Sequence, residues 1–360
     1  MAAQMATGAM RAKDGAQRLF GFNRRLSEVW ASRDRTLIVR MPALERGSED
    51  KGAAMRVAVI DIGTNSTRLL IADVEGSGVN EIERRTTVTN MGRGVDHSGL
   101  ICPDAVDDVC GVVADYKARY EEMGADRTMA IATSAVRDAV NGEAFIAELR
   151  ERFGLDARLL TGEEEAHLTY FGATSHRSDQ DPTLVFDIGG GSTELIVGSG
   201  TDVGFHTSLQ AGTIRQSERH LTADPPHPHE LEDLAADIRN LIDRAIAAQP
   251  EGKPVRAIAV AGTPTSLAAI DLGLEPYDPG RVHGYHLGLQ RVQRMLSRLS
   301  SLPLAERLRV PGLHPGRAPT IVTGTVILVQ VMRAFALQEI EVSELDILHG
   351  SALSAAMAPI

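Results

Sequence analysis

Two short segments of this 360-residue chain carry the same pattern of residues. The segment that begins at Asp61 reads Asp-Ile-Gly-Thr-Asn-Ser-Thr-Arg-Leu, and the segment that begins at Asp187 reads Asp-Ile-Gly-Gly-Gly-Ser-Thr-Glu-Leu. Apolar residues, many of them β-branched, precede and follow both copies, so each copy is predicted to be a strand, a tight turn and a second strand. A repeat with so long a period indicates a duplicated domain.

These residue types favour the binding of phosphate and of a divalent cation. Glycine turns can present consecutive backbone N–H groups to an anion, and the Ser and Thr hydroxyls add uncharged donors. An Asp at the end of a strand repels phosphate and is suited instead to a hard cation such as Mg²⁺. Two such hairpins facing each other would form a cleft with phosphate donors on both walls. The alternative is a pair of ordinary β-hairpins with Gly-rich turns.

The two hairpins and three further segments resemble the exopolyphosphatase / guanosine pentaphosphate phosphatase family. The further segments are Ala-Thr-Ser-Ala-Val-Arg-Asp at 132–138, Thr-Gly-Glu-Glu-Glu-Ala at 161–166 and Ala-Gly-Thr-Pro-Thr-Ser-Leu at 261–267. That family belongs to the superfamily of actin, the sugar kinases and Hsp70. The resemblance, which extends from about Met55 to near the C-terminus, implies an α/β fold of two duplicated ribonuclease-H-like domains with mixed sheets and an inter-domain cleft.

The resemblance also implies two catalytic glutamates and a metal site. Glu165, in the family's Gly-x-Glu-Glu-Ala pattern, is expected to be the base that orients or deprotonates a water molecule, with a pKa raised by burial. Glu194 stands where the first hairpin has Arg68, and it is expected to orient water or assist the metal. Asp61, Asp187 and Glu194 are the expected ligands of Mg²⁺ or Mn²⁺. The competing reading is that Glu194 and Arg68 are solvated strand residues.

The expected substrate ligands are mostly backbone and hydroxyl donors. Ser134 and Ser192 are interpreted as donors and not as nucleophiles, because neither has an evident histidine partner. Arg137 is expected to contact phosphate, with pairing to Asp138 or capping of the next helix as an equally weighted alternative. The full set of expected substrate ligands is Gly63, Thr64, Asn65, Ser66, Arg68, Ser134, Arg137, Gly189, Gly190, Gly191, Ser192, Thr193, Gly262 and Thr263.

Composition limits the classes of function. The formal net charge is −11, which argues against coating nucleic acid or an anionic membrane as the main role. Two cysteines are too few for a disulfide framework and fit a reducing compartment. No signal peptide is evident, and the longest apolar run, residues 321–332, is too short to span a bilayer. We therefore expect a cytoplasmic protein without nucleic-acid or membrane partners, and we expect a homodimer.

The elements that must position these residues are predicted to form two α/β domains. Residues 1–54 are interpreted as an extension that is disordered or not translated, with a short amphipathic helix at 17–30. Domain I is predicted at 55–180 and domain II at 181–345, and a C-terminal helix at about 346–360 is expected to dock back onto domain I. In each domain, three antiparallel strands precede alternating helices and strands.

The leading prediction is a Mg²⁺-dependent hydrolase that releases orthophosphate from the end of inorganic polyphosphate. The chain ends near residue 360 without the extra C-terminal helical domains of longer family members, which favours short polyphosphate. The closest alternative is the same reaction on guanosine pentaphosphate, because both substrates end in a phosphoanhydride. More distant alternatives are a kinase with this fold and a catalytically weak nucleotide sensor.

Overall fold

A computed structural model describes residues 36–40, 54–247 and 254–357, and its strands form two six-stranded sheets. The helix expected at 17–30 lies outside the described residues. The first sheet contains β1 (Thr36–Arg40), β2 (Met55–Ile62), β3 (Ser66–Glu75), β4 (Gly78–Val88), β5 (Arg127–Ala132) and β6 (Ala157–Leu159). The second contains β7 (Thr183–Ile188), β8 (Thr193–Ser199), β9 (Asp202–Leu209), β10 (Arg256–Val260), β11 (Tyr285–Gly288) and β12 (Glu339–Val342).

The two sheets share one topology. The strand order is β1-β4-β3-β2-β5-β6 in the first sheet and β11-β12-β10-β7-β8-β9 in the second. In both, three antiparallel strands formed by consecutive hairpins are followed by two strands parallel to the first. The predicted fold class, two duplicated ribonuclease-H-like domains with mixed sheets, is confirmed.

Each sheet has one additional antiparallel edge strand. β11 pairs with β12, and β1 pairs with β4. Strand β1 lies within residues 1–54, which the sequence analysis expected to be disordered or not translated, so the structure differs from that expectation at these five residues. β11 and β12 were also not predicted from the sequence, because four-residue strands carry too little alternation to be recognised.

Helices cover both faces of each sheet. They are α1 (Val95–Ser98), α2 (Pro103–Glu122), α3 (Ser134–Asp138), α4 (Gly142–Phe153), α5 (Gly162–Thr174), α6 (Thr213–His220), α7 (Pro228–Ile246), α8 (Gly262–Leu272), α9 (Pro279–Val282), α10 (Leu289–Ser301), α11 (Leu304–Arg307), α12 (Ile321–Ala334) and α13 (Ile347–Met357). No helix in the described part of the chain is long and apolar enough to cross a membrane.

Two helices each pack on the sheet of the other half of the chain. Helix α5 follows the first sheet in the chain and packs on the second, whereas α13 follows the second and packs on the first. The helices cross at Gly172 and Gly350, where an added Cβ would lie 1.9 Å from the carbonyl oxygen of Asp346 or of Leu168, respectively. Only glycine permits this approach, and the crossing brings the start of α5 to the cleft between the sheets.

Candidate active site

The two glycine hairpins meet tip to tip. Each turn is closed by the same bond, from Gly63 N–H to the Ser66 carbonyl and from Gly189 N–H to the Ser192 carbonyl, both at 3.0 Å. A Cβ added to Gly191 would lie 2.6 Å from Ser134 Oγ and 2.9 Å from a side-chain oxygen of the first turn. The absence of a side chain at Gly191 therefore keeps the two turns close and their backbone accessible.

A small cleft of about 70 Å³ lies between the turns. Most of the residues that the sequence predicted as ligands or catalytic groups line it, which means that one site is built from both halves of the repeat. They are Asp61, Gly63, Thr64, Asn65, Ser66, Arg68, Ser134, Glu165, Asp187, Gly189, Gly190, Gly191, Ser192, Glu194 and Gly262.

Three predicted ligands do not line this cleft. The Thr193 hydroxyl is buried behind the turn and donates to the Ala211 carbonyl at 2.7 Å. Thr263 is buried against α12, since a Cβ on Gly324 would lie 2.2 Å from its hydroxyl oxygen. Arg137 stands behind the wall and pairs with Glu165 at 2.7 Å.

Three buried polar atoms in the cleft have no hydrogen-bond partner among the described residues. They are a carboxylate oxygen, Asp61 Oδ1, and two potential donors, Asn65 Nδ2 and Ser134 Oγ. Buried polar groups in folded proteins are almost always paired, so unpaired groups that converge on one cleft are available to a ligand or to water. An oxygen and two donors match a cation and an anion bound side by side.

Glu165 reaches the cleft because of how α5 begins. Thr161 and Glu164 form a capping box, with Glu164 N–H donating to Thr161 Oγ1 at 3.2 Å and Thr161 N–H donating to Glu164 Oε2 at 2.8 Å. Glu163 is exposed, whereas Glu165 is buried. Burial raises the pKa of Glu165 against the opposing effect of Arg137, and the nearby Asp61 raises it further.

The second hairpin places two carboxyl groups opposite each other. Asp187 pairs with Glu194 in the β7–β8 register, and both line the cleft. Burial raises the pKa of Asp187 to about 7, and Glu165 and Asp61 contribute to this rise against the effect of Arg68. Burial, Glu165 and Asp187 hold the pKa of Glu194 well above its usual range, although Ser208 donates to it at 2.9 Å.

The first hairpin places a cation where the second has Glu194. Arg68 pairs with Asp61 at 2.6 Å in the β2–β3 register and also with Asp346. The guanidinium expected to bind substrate is therefore already held by two carboxylates. Asp346 was not predicted from the sequence, because its only local signal is that of a helix start, where it accepts from Leu348 N–H at 3.0 Å. Thr133, Ala261, Arg317 and Ile347 also line the cleft.

A second, larger cavity of about 470 Å³ adjoins the cleft. Arg68, Ala261, Gly262 and Arg317 line both spaces. Burial lowers the pKa of Arg317 to about 10, and the nearby Arg68 contributes to this lowering. The remaining wall of the cavity carries charges of both signs beside apolar side chains, and it includes Arg84, Arg309, Glu275, Glu344, Asp346, Leu274, Tyr277, Val310 and Leu313.

The fold and the site together define a phosphatase with two facing phosphate-binding hairpins. A sequence profile described as the Ppx/GppA phosphatase family matches residues 70–358. The chain therefore belongs to the Ppx/GppA phosphatase family, and it is an enzyme of that family. The exopolyphosphatase / guanosine pentaphosphate phosphatase resemblance inferred from the sequence is confirmed.

Individual relatives agree along nearly their whole length. Exopolyphosphatase 2 of Mycobacterium tuberculosis is 34% identical over 319 residues, which cover 84% of this chain and 99% of that protein. A crystal structure of an exopolyphosphatase-like protein aligns with a TM-score of 0.79 and 32% identity, over 84% of this chain and 97% of the other. A Ppx/GppA family member from Aquifex aeolicus aligns with a TM-score of 0.73 and 29% identity, over 84% and 98%.

Proposed function

We propose that this enzyme releases orthophosphate from the end of inorganic polyphosphate, with Mg²⁺ bound and with a preference for short chains. The observation that carries the proposal is the convergence of a buried glutamate, Glu165, and two glycine turns on a cleft with unpaired buried donors. The name of the Mycobacterium tuberculosis relative supports this substrate class. The small volume of the cleft, about 70 Å³, suits the terminal phosphoryl group of a polyphosphate chain.

The residues of the cleft divide into donors and a base. The turn amides, Asn65 Nδ2 and Ser134 Oγ are suited to the non-bridging oxygens of the terminal phosphoryl group. Glu165 holds a water molecule in line with the bond to be broken, and Arg137 fixes the orientation of this carboxylate. The water oxygen bonds to phosphorus, the bond from phosphorus to the bridging oxygen breaks, and the water proton passes to Glu165. Phosphoryl transfer needs such positioning more than a strong base.

The donor set fits a magnesium ion that keeps ligands from water and substrate. Asp61 Oδ1 is buried and unpaired, and Asp187 and Glu194 line the same cleft. In the described ranges no three His, Cys, Asp or Glu side chains converge closely enough to hold a metal by themselves, so the proposed Mg²⁺ would take its remaining ligands from water and from phosphate oxygens. When bound, the ion supplies neutralisation of charge on the phosphoryl oxygens.

The adjoining cavity supports both the short chain and the closest alternative. Its volume of about 470 Å³ and the guanidinium groups of Arg309 and Arg317 suit a few further phosphates, whereas Arg84 is paired with Glu81 and Glu344. Its apolar wall, with Leu274, Tyr277 and Leu313, equally suits the base and ribose of guanosine pentaphosphate. Guanosine pentaphosphate is therefore the second candidate substrate.

The test is orthophosphate release from tripolyphosphate, long polyphosphate and guanosine pentaphosphate, each with Mg²⁺ and with EDTA. We expect fastest release from tripolyphosphate, and loss of release in EDTA. The Glu165→Gln variant serves as the inactive control and excludes contaminating phosphatases. Turnover of guanosine pentaphosphate alone would replace the proposed substrate, and full activity in EDTA would remove the metal from the proposal.

A further inference from the structure

Arg215 lies on α6 directly behind the second glycine turn, and the mechanism above does not use it. Its side chain is buried, with a relative exposure of 9% for the residue. Nε donates to the Gly191 carbonyl at 2.8 Å and Nη2 donates to Asp138 at 2.7 Å, while Nη1 pairs with Asp96. One guanidinium therefore joins the second turn to two carboxylates of the first domain.

Helix α6 determines the direction of the peptide groups in the turn. Its first residues donate to the turn carbonyls, with Thr213 N–H bonded to Gly189 at 2.9 Å and Ile214 N–H bonded to Gly190 at 2.8 Å. Arg215 completes this series at the carbonyl of Gly191. In a planar trans peptide, the N–H points opposite to the C=O. The N–H groups of the three residues that follow these carbonyls, Gly190, Gly191 and Ser192, consequently point away from α6.

The two carboxylates that bind Arg215 belong to the opposite wall of the cleft. Asp138 ends α3, the helix that carries Ser134 and Arg137, and Arg137 holds Glu165. Asp96 lies on α1, which is anchored to the first turn through the bond from Gly92 N–H to the Thr64 carbonyl at 2.9 Å. The Arg215 contacts thus connect the Ser192 amide with the elements that position the base.

We propose that Arg215 is a positioning residue that fixes the second phosphate-binding turn against the wall that carries the base. Its guanidinium orients the Gly191–Ser192 peptide and binds Asp138 and Asp96 at the same time. The Ser192 N–H and the Glu165 carboxylate can therefore act on the same phosphoryl group. Three partners behind the turn occupy this side chain, which distinguishes its role from that of a substrate ligand. The proposal rests on the proposed function for its kinetic consequence only.

The kinetic test compares Arg215→Gln, Arg215→Lys and Asp138→Asn with the matched control Arg219→Gln. Arg219 lies on the same helix and pairs with Asp96 at 2.8 Å, but it is more exposed, and within the described part of the chain its hydrogen bonds go to Asp96 alone. We expect kcat to fall about ten-fold or more in Arg215→Gln, with a smaller change in KM, because a charge-assisted hydrogen bond is lost at the turn. Arg219→Gln should stay within about two-fold of the wild type.

Two further comparisons separate positioning from simple attraction of a polyanion. A lysine cannot reproduce the fork of three contacts, so Arg215→Lys should resemble Arg215→Gln. Asp138→Asn should lower kcat in the same direction, and the double variant with Arg215→Gln should lose no more than Arg215→Gln alone, because both changes break one linkage. Wild-type kcat in Arg215→Lys, or additive losses in the double variant, would overturn the proposal.

Hydrogen exchange gives a readout that does not depend on activity. We expect the amides of residues 187–192 to exchange faster in Arg215→Gln and in Arg215→Lys than in the wild type, whereas the amides of strand β2 should exchange at the wild-type rate. The control Arg219→Gln should keep the wild-type melting temperature. If the wild type releases no phosphate from any substrate tested, the proposed function fails, and faster exchange still supports the linkage. Unchanged exchange in both Arg215 variants contradicts it. Should Arg215→Gln not fold, the lysine and Asp138→Asn variants carry the same comparison.

Discussion

Asp187 and Glu194 face each other across the second hairpin as two acids, at the register positions where the first hairpin has the ion pair of Asp61 and Arg68. The first hairpin thus pairs its acid with a cation, whereas the second places two acids opposite each other. Two carboxyl groups in a shared cleft retain a proton or bind a cation, because their mutual repulsion opposes full ionisation. This asymmetry makes the second hairpin the more acidic side of the cleft.

Stability should fall as the pH rises from about 4.5 toward 7. The pKa of Asp187 is raised to about 7 and those of Glu165 and Glu194 are raised as well. A carboxyl with a raised pKa binds its proton more tightly in the folded state, so its contribution is complete at low pH and is lost as the pH passes the folded pKa. Urea unfolding at a series of pH values, without divalent ions, measures the effect.

The same experiment has a matched pair of variants. Asp187→Asn should make the free energy of unfolding depend less on pH between pH 5 and about 7, because it removes one carboxyl group whose pKa is raised in the folded state. Asp156→Asn changes an exposed carboxylate in the first domain and should leave the profile as it is in the wild type. If stability depended on pH as steeply in Asp187→Asn as in the wild type, the raised pKa of Asp187 would be contradicted.

Glu165→Gln should abolish turnover and preserve binding. We expect kcat to fall at least about 100-fold, because the amide cannot accept a proton from water. Tripolyphosphate should still raise the melting temperature, since the turn amides and hydroxyls are unchanged. Glu163→Gln, at an exposed position on the same turn of α5, is the control and should keep wild-type kcat. Equal activity of the two variants would remove Glu165 from the mechanism.

Arg68→Met should be strongly destabilising. It leaves Asp61 and Asp346 buried without their cation, and breaking a buried pair costs about 3–5 kcal/mol in the free energy of unfolding. Arg158→Met removes an exposed ion pair with Asp156 and should cost less than about 1 kcal/mol. Urea denaturation curves measure both changes, and similar values for the two variants would refute the structural role given to Arg68.

Ala261→Gly should stabilise the protein. Ala261 has φ 73° and ψ −173°, a conformation that is nearly confined to glycine, and it lies at the turn between β10 and α8 beside the cleft. Relief of this strain outweighs the added flexibility of the unfolded chain, so we expect a gain of about 1 kcal/mol in the free energy of unfolding. Ala130→Gly, in the regular strand β5, should instead lower it.

Local patterns were enough to predict the hairpins and the acids on their cleft face. Side chains alternate along a strand, so Glu194 shares a face with Ser192. The same alternation sends Thr193 to the opposite face, which is why its hydroxyl is buried against Ala211. The capping box of α5 likewise separates Glu164 from Glu165 by local geometry. The repeat and its alternation predicted the hairpin residues, whereas the ribonuclease-H-like fold and Ser134, Glu165 and Gly262 were implied by the family resemblance.

Tertiary packing alone decided which charges meet. Arg68 and Asp346 are 278 positions apart and meet because α13 packs on the first sheet. Arg215 and Asp96 are 119 positions apart and meet because α6 lies against α1 of the first half of the chain. Thr263 faces α12 and not the cleft because a distant glycine, Gly324, leaves room for it. By itself the sequence determined the two phosphate-binding hairpins, since strands and tight turns depend on neighbouring residues. Whether an arginine binds substrate or a carboxylate depends on elements brought together by folding, and no local pattern carries that information.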